Sequence, residues 1–366
     1  MNVTCGQSDL TVAIDSTARA LVTRGAMLGG LLLTASESEL TIRSAGPDMQ
    51  VRWTVPAKVA SAGSVVIAAR QLMDLVGVMD LADVRLSTDN RGHLRVRSVG
   101  IDTTIPDLPL SSLASQIKIV PGWRGQLKAS ELVAACSQVR IAAARGEAKP
   151  ILTGALMRFD GETIVLAATD GARLAERRLK AVVTEGGQCD VIVPARALAE
   201  IEHLVGRPAP LIDCAGDAAG RAISLQGSHF RVDALGLEGT FPAYSQLIPT
   251  ASATSCVLDV AEALRRLAAA AAFASDDARR VTLRFGKTGM TIKGGAADRG
   301  VSVATAAGKV SGIDDEIQIN PDHLEAGLRV VGTAQVLIEL SPAPAIVVVR
   351  PEPRIDYTYI VMPYVS

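Results

Sequence analysis

The chain repeats itself, and the repeat constrains the fold more than any other feature. Val66, Ile67, Ala69, Arg70 and Leu72 have counterparts in Ile192, Val193, Ala195, Arg196 and Leu198, and again in Gln318, Ile319, Pro321, Asp322 and Leu324. Each copy reads as a short strand entering an amphipathic helix. Leu72, Leu198 and Leu324 stand 126 residues apart in both steps. A second pattern lies upstream of each copy. Leu40 with Ile42, Ile164 with Leu166, and Met290 with Ile292 follow the turns Ser36-Glu37, Asp160-Gly161 and Gly286-Lys287. They precede Asp48, Asp170 and Asp298 in a further turn. The spacing predicts three similar tandem domains, 1–120, 121–250 and 251–366.

Periodicity fills in each domain. Helices are expected near 10–24 and 69–79, 128–144 and 195–206, 259–274 and 321–331. Strands of the first domain are expected at 3–5, 29–35, 38–44, 49–55, 64–68, 84–88, 93–98 and 100–105. Asn320 before Pro321 reads as an N-cap followed by proline at the first helical position, where a missing N–H costs nothing. Two helices and two sheet portions per domain predict an α+β unit with helices on one face of antiparallel sheets. The linkers, 106–122 and 251–255, are short, which favours a fixed, curved array over beads on a string.

Composition narrows the chemistry. Hydrophobic residues make up 48% and charged residues 20% of the 366, so sizeable cores are available. Aromatics are only 3%, so those cores must rest on Leu, Val, Ile and Ala. A net charge of −1 argues against wrapping nucleic acid with the whole surface but leaves room for a local basic face. Cys5, Cys136, Cys189, Cys214 and Cys256 form no CxxC pair and read as reduced thiols in a cytoplasmic protein. No basic-then-apolar leader and no membrane-length apolar run is present.

Phosphate-binding, dinucleotide-binding, zinc-protease and nucleophile-elbow motifs are all missing. The histidines (93, 203, 229, 323) are dispersed, and His203 and His323 are expected at the solvated surface. The pairs Asp276-Asp277 and Asp314-Asp315 read as solvated turns. No catalytic residue, metal site or cofactor is expected, and an enzyme remains only a runner-up.

Three separated stretches carry a sharper message. The first is Thr169-Asp170-Gly171-Ala172-Arg173-Leu174, whose Asp-Gly between strand-like runs is a hairpin signal. The second runs from Gly239-Thr240-Phe241-Pro242-Ala243-Tyr244 to Leu247-Ile248-Pro249. The third is the end of the chain, Tyr359-Ile360-Val361-Met362-Pro363-Tyr364. Together, in this order and at this spacing, they resemble the bacterial sliding clamp family, the β subunits of DNA polymerase III. Members of that family carry a Thr-Asp-Gly-His-Arg-Leu-like turn, a Phe-Pro-Asp-Tyr…Leu-Pro segment and a Val-Met-Pro-Met-like tail. The resemblance covers the whole chain and is weakest in the first 30 residues. Ala172 replaces the usual His, Gln246 stands where some relatives have Arg, and Tyr364-Val365-Ser366 replaces a Met-Arg tail. Arg24-Gly25-Ala26-Met27-Leu28 replaces a proline-containing segment.

The resemblance implies a non-enzymatic processivity factor for DNA replication: a head-to-tail homodimeric ring, helices lining the pore and antiparallel sheets on the rim. Double-stranded DNA would be encircled without sequence preference, through phosphate contacts. Arg24, Arg70, Arg140, Arg145, Lys149 and Arg196 are the expected DNA-facing cations. Leu75, Val78, Met79, Leu108 and Leu110 are expected to meet Ala272 and Phe273 of a second copy. Leu152, Thr169, Gly171, Arg173, Leu174, Pro242, Leu247, Ile360 and Met362 fall on the family's peptide pocket, between domains 2 and 3. That pocket would receive the polymerase III catalytic subunit, the clamp loader and other clamp-binding-motif proteins such as repair polymerases, mismatch-repair proteins and ligase. No membrane partner is implied. The rival readings are a clamp-like paralogue without the main replicative role, and a hydrolase whose residues converge from distant positions.

Overall fold

The computed structural model describes residues 1–366 apart from 24, 25, 28, 114, 147, 206–209, 275–278, 299, 343, 344, 365 and 366. Among the described residues there are six α-helices: α1 (Gln7–Ala18), α2 (Ala69–Val76), α3 (Ala129–Arg140), α4 (Ala195–Val205), α5 (Val260–Ala271) and α6 (Pro321–Val330). All six lie where periodicity expects them, but α1, α2, α3, α5 and α6 are shorter at their C-terminal ends. The first ends at Ala18 and tightens into a 3-10 turn, Arg19–Leu21, followed by a two-residue hairpin, Val22–Thr23 with Ala26–Met27. The expected run to residue 24 therefore fails: the apolar spacing continues, but the backbone turns. The strands Lys58–Ser61 and Val182–Glu185 were not foreseen, because their exposed residues show no clean alternation.

The chain divides into two compact units. One comprises Met1–Ser130 and Ala181–Gly236, the other Glu131–Lys180 and Leu237–Ser366. These units cut across the sequence repeat, and strand pairing explains why. In the first unit, a nine-stranded antiparallel sheet joins Phe230–Leu235 of the central repeat to Met49–Pro56 of the first repeat, with Phe230 opposite Trp53 and Val232 opposite Val51. A five-stranded sheet completes that unit, in the order Ile101–Ile105, Leu94–Ser98, Asp83–Thr88, Asn2–Gly6, Lys58–Ser61. In the second unit, Arg173–Lys180 of the central repeat pairs with Tyr357–Val361 at the far end of the chain. From there the sheet continues through Val347–Glu352, Gln335–Leu340, Thr254–Asp259, Gly300–Gly312 and Gly289–Ala296.

Burial follows the repeat closely. Leu72, Leu198 and Leu324 on α2, α4 and α6 are fully buried, as are Leu40, Ile42, Ile164, Leu166, Met290 and Ile292 on the matching strands. Alternation sorts each strand. In Glu39–Ala45, Leu40, Ile42 and Ser44 turn inward, and the Ser44 hydroxyl donates to the Thr17 carbonyl of α1. Helices α1 and α2 pack together in the first unit, and α5 with α6 in the second. Asp259 caps α5 by accepting from the Glu262 amide at 2.7 Å, and Asn320 caps α6 by accepting from the Asp322 amide at 2.9 Å, ahead of Pro321. The five cysteines are all buried. Burial pushes the Cys5 thiol up to about 12, helped by Asp9 and Asp83, and the Cys256 thiol to about 11. No described helix is long and apolar enough to cross a membrane.

Helix α6 lies so close to Tyr357–Val361 that a Cβ on Gly327 would sit 2.4 Å from the Tyr359 ring. Gly327→Ala should therefore destabilise the protein by about 1–3 kcal/mol through overpacking, although alanine is the better helix former. Leu198→Ala should cost about 2–5 kcal/mol as a cavity. Urea unfolding of each variant measures both effects; a Gly327→Ala protein as stable as the parent would show that the helix can move away freely.

Candidate peptide-binding site

All nine residues expected at the pocket fall within the second unit. The turn comes first. Strands Thr163–Thr169 and Arg173–Lys180 leave only three residues to reverse the chain, and Gly171 takes φ +95, a conformation other residues resist. Side chains then lock it. The Thr169 hydroxyl donates to the Arg173 carbonyl at 2.7 Å and accepts from the Gly171 amide at 3.1 Å. Asp170 Oδ1 accepts from the Ala172 and Arg173 amides, and Oδ2 from Arg173 Nε at 2.9 Å. This ion pair is mostly shielded from solvent, so it resists screening better than a surface pair. Burial disfavours the charge on Arg173, but Tyr359 and Asp170 outweigh it and hold its pKa above the ordinary value.

The tail is stitched directly to this turn. Arg173 pairs with Val361, Leu174 with Ile360 and Glu176 with Thr358, and the Met362 amide donates to the Ala172 carbonyl at 2.8 Å. The middle stretch comes in over Glu176. The Tyr244 hydroxyl donates to Glu176 Oε2 at 2.7 Å, both groups being buried, and Arg178 Nε donates to Oε1 at 2.9 Å. Burial and Glu176 raise the Tyr244 pKa, so the phenol keeps its proton. Phe241 meets Tyr244 edge to face at 6.0 Å. A 3-10 turn, Ser245–Leu247, follows and holds Leu247 out, 39% exposed.

The register sorts the expected residues. Leu174, Ile360 and Thr169 share one face of the sheet with Glu176, under Tyr244. Arg173 lies on the opposite face with Tyr359 and Tyr357, whose hydroxyls donate to the His323 carbonyl of α6 and the Gln138 carbonyl of α3. Leu152, Leu174 and Ile360 are at most 6% exposed and form floor, whereas Pro242, Gly171 and Leu247 are exposed and Met362 is half-buried. The apolar surface on offer is thus smaller than the list of matching positions implies. The reading of His323 as a solvated residue is corrected: it is half-buried, and burial with nearby Arg173 holds its pKa below the ordinary 6.5. His203 is exposed, as expected. Glu176 and its bond to Tyr244 were missed, although Glu176 is a lone acid on an otherwise apolar, basic strand.

The other expected surfaces are mixed. Arg70, Arg145 and Lys149 are exposed, and Arg70 lies 3.8 Å from Asp74. Arg140 is half-buried at the end of α3. Arg196 is half-buried and tied to Asp48 at 3.4 Å, so it offers less to a phosphate than its position suggested. Arg19, Arg266 and Arg329 are likewise ion-paired, to Glu200, Glu262 and Glu325. Arg24 and the pair Asp276-Asp277 lie outside the described residues. Val78 is 75% and Leu110 68% exposed; Leu75 and Leu108 are partly exposed. Met79 is only 7% exposed, buried in its own unit, while Leu81, not anticipated, is 85% exposed. Ala272 is exposed and Phe273 38% exposed at the end of α5. Among the described residues no group of three or more His, Cys, Asp or Glu could hold a metal.

Comparison with known proteins now places the chain. Profiles for the N-terminal, central and C-terminal domains of the DNA polymerase III β subunit match residues 1–112, 126–243 and 245–365. The chain belongs to the β sliding clamp family. It is 28% identical to the β sliding clamp of Streptomyces coelicolor, over 99% of each chain, and 28% identical to the β sliding clamp homolog GriR of Streptomyces muensis, over 87% of this chain and 85% of that one. Its fold matches that of a Pseudomonas aeruginosa sliding clamp bound to griselimycin with a TM-score of 0.92, at 21% identity and with both chains fully covered. Three clamp domains each mix helices with antiparallel sheet, and the hairpin at Asp170-Gly171 belongs to one of those sheets. The β sliding clamp family is non-enzymatic.

The depressed pKa of His323 has a testable sign. The unfolded chain takes up the proton first as pH falls, so this contribution to stability is complete above the ordinary 6.5 and is lost as pH drops below it toward the folded-state value. His323→Gln should flatten the stability–pH curve in that window. An NMR titration of the ring should give a midpoint below 6.5; a midpoint at or above it would contradict the burial argument.

Proposed function

We propose that this chain is a DNA sliding clamp: a ring-shaped processivity factor that encircles duplex DNA and tethers replication and repair proteins. The observation that carries this reading is the convergence, around two neighbouring strands of the second unit, of three stretches far apart in sequence. Backbone pairing fixes the turn to the tail, and the Tyr244–Glu176 bond fixes the third stretch beside them. A rigid apolar floor with a few oriented polar groups suits a short linear motif that inserts a Leu and an aromatic residue. Half-buried Met362 supplies an adaptable wall for differing partners. Those partners are the polymerase III catalytic subunit, the clamp loader and other motif-bearing repair proteins, met in the cytoplasm. The repeats are proposed as domains 1–120, 121–250 and 251–366.

The ring is proposed as a head-to-tail homodimer. Exposed Val78, Leu81 and Leu110 in the first unit, with Ala272 and Phe273 in the second, supply apolar surface for it. Among the described residues the strand Ile101–Ile105 ends its sheet, and a second copy can cover that edge. Arg70, Arg140, Arg145, Lys149 and Arg196 are proposed to face DNA. Carboxylates neutralise several helix cations, so direct affinity for phosphate is expected to be weak and salt-dependent. Retention on DNA then rests on topology.

Two measurements test this reading. A Gln-x-x-Leu-Phe peptide should bind with micromolar affinity, about 8 kcal/mol. Met362→Ala or Leu247→Ala should weaken it by about 1–3 kcal/mol. Leu174→Ala is a poorer probe, since Leu174 is 1% exposed and its loss would also cost stability. No binding, or binding indifferent to Met362→Ala and Leu247→Ala, removes the pocket. After loading on circular DNA the protein should survive a salt wash that strips it from linear DNA, and cutting the circle should release it. Equal behaviour on both forms would favour the clamp-like paralogue over the encircling clamp.

A further inference from the structure

The outer, helix-free face of the nine-stranded sheet carries an unusual row. Arg43, Arg52 and Arg231 lie directly opposite one another on three adjacent strands: Arg43 pairs with Arg52, and Arg52 with Arg231. Cross-strand neighbours hold their Cβ atoms about 4.5–5.5 Å apart, and like charges so placed repel. The strands' inward residues, Ile42, Trp53 and Phe230, are buried on the other side, so the pleat leaves the arginines only this face.

One acid compensates. Asp233 is buried and accepts from Arg231 Nε at 3.0 Å, but it also accepts from Gln50 Nε2 at 2.6 Å. Arg43 is the exposed weakness in this arrangement: its Nε and Nη1 are buried from solvent and have no hydrogen-bond partner. Burial, and then the charge of Arg52, make its cationic form harder to hold than usual. A half-buried guanidinium with two unpartnered nitrogens beside the like charge of Arg52 is costly unless something anionic completes it.

The row also has a roof. Gln50 accepts from the Ile117 amide at 3.1 Å and donates to its carbonyl at 3.3 Å, pinning the segment after the first repeat across the sheet. Arg43, Arg52, Arg231, Gln116 and Ile117 enclose a cleft of about 190 Å³. A second cleft of about 370 Å³ shares Arg231 with it and is also lined by Arg124, Asp213 and Gln226.

We propose that this cleft is a binding site for a small multivalent oxyanion of phosphate chemistry, gripped by Arg43, Arg52 and Arg231 beneath the 116–117 segment. The guanidinium forks match phosphate oxygens bidentately, which a lysine row would not do. Three arginines against one acid favour a doubly charged group over a lone carboxylate. The site is independent of the peptide pocket, which lies in the other unit. It gives the chain a means of answering to free phosphate, pyrophosphate or a nucleotide's phosphate tail, by fixing the segment that follows the first repeat.

The test uses the full chain in low-salt buffer at matched ionic strength, with inorganic phosphate, pyrophosphate and a nucleoside triphosphate as separate probes. Calorimetry should show one site, and thermal melting should rise by about 3 °C near tenfold saturation. Similar responses to all three probes identify the phosphate group as the recognised element. A tighter nucleotide response adds the second cleft. Arg43→Gln and Arg52→Gln should each weaken binding at least tenfold. In anion-free buffer they should leave melting unchanged or raise it, because they relieve repulsion. Arg52 is exposed, so its variant folds even if the Arg43 variant does not. No shift with any probe, or a shift that survives both substitutions, overturns the proposal. So does stabilisation by short duplex DNA with none from the small anions.

Discussion

Residues 173–177 pair with Tyr357–Val361, about half the chain away, and the candidate site depends on that pairing. A one-residue slip would carry Leu174 and Ile360 to the helix-packed face and bring Arg173 and Tyr359 out in their place. Slippage is opposed from both faces. Tyr357 and Tyr359 reach hydroxyl bonds under the helices, and Glu176 holds Tyr244 on the other side. The turn at Asp170-Gly171 sets the starting point, and the Met362 amide on the Ala172 carbonyl sets the end.

The same device recurs in the first unit, where Phe230–Leu235 pairs with Met49–Pro56. In both places the sheet runs through the junction between repeats. Compact units therefore do not coincide with the period of the sequence: half of the central repeat joins one neighbour and half the other. Fusing sheets in this way removes edge strands that would otherwise recruit stray chains.

Polar residues do two kinds of work here. Asp48, Glu262 and Glu325 neutralise cations next to them and tune charge with little change in stability. Glu176 and Gln50 are buried or half-buried and fasten irregular segments onto a sheet. The second kind is hard to find in a sequence, because a single acid or amide on a strand looks like any other polar residue until its partner is known.

The three-fold plan, the six helices, the buried leucines at 72, 198 and 324, and the Asn320 cap were all legible in the letters, because they follow from local periodicity and from a repeat that copies local rules. The turn at 169–174 was legible too, since Asp-Gly chemistry needs no distant partner. Helix ends were not, because where α1 stops depends on a turn that the apolar pattern does not register. Nor could the sequence say that Leu174 lies opposite Ile360 and shares its face with Glu176 and Tyr244, that Met79 is buried while Leu81 is not, or that His323 sits beside Arg173. The row of Arg43, Arg52 and Arg231 belongs in the same class. The arginine row is a fact of register between strands far apart in the chain, and the burial of Met79 and His323 is a fact of how helices and their flanking turns pack; both are fixed by tertiary hydrogen bonding and burial rather than by any local preference.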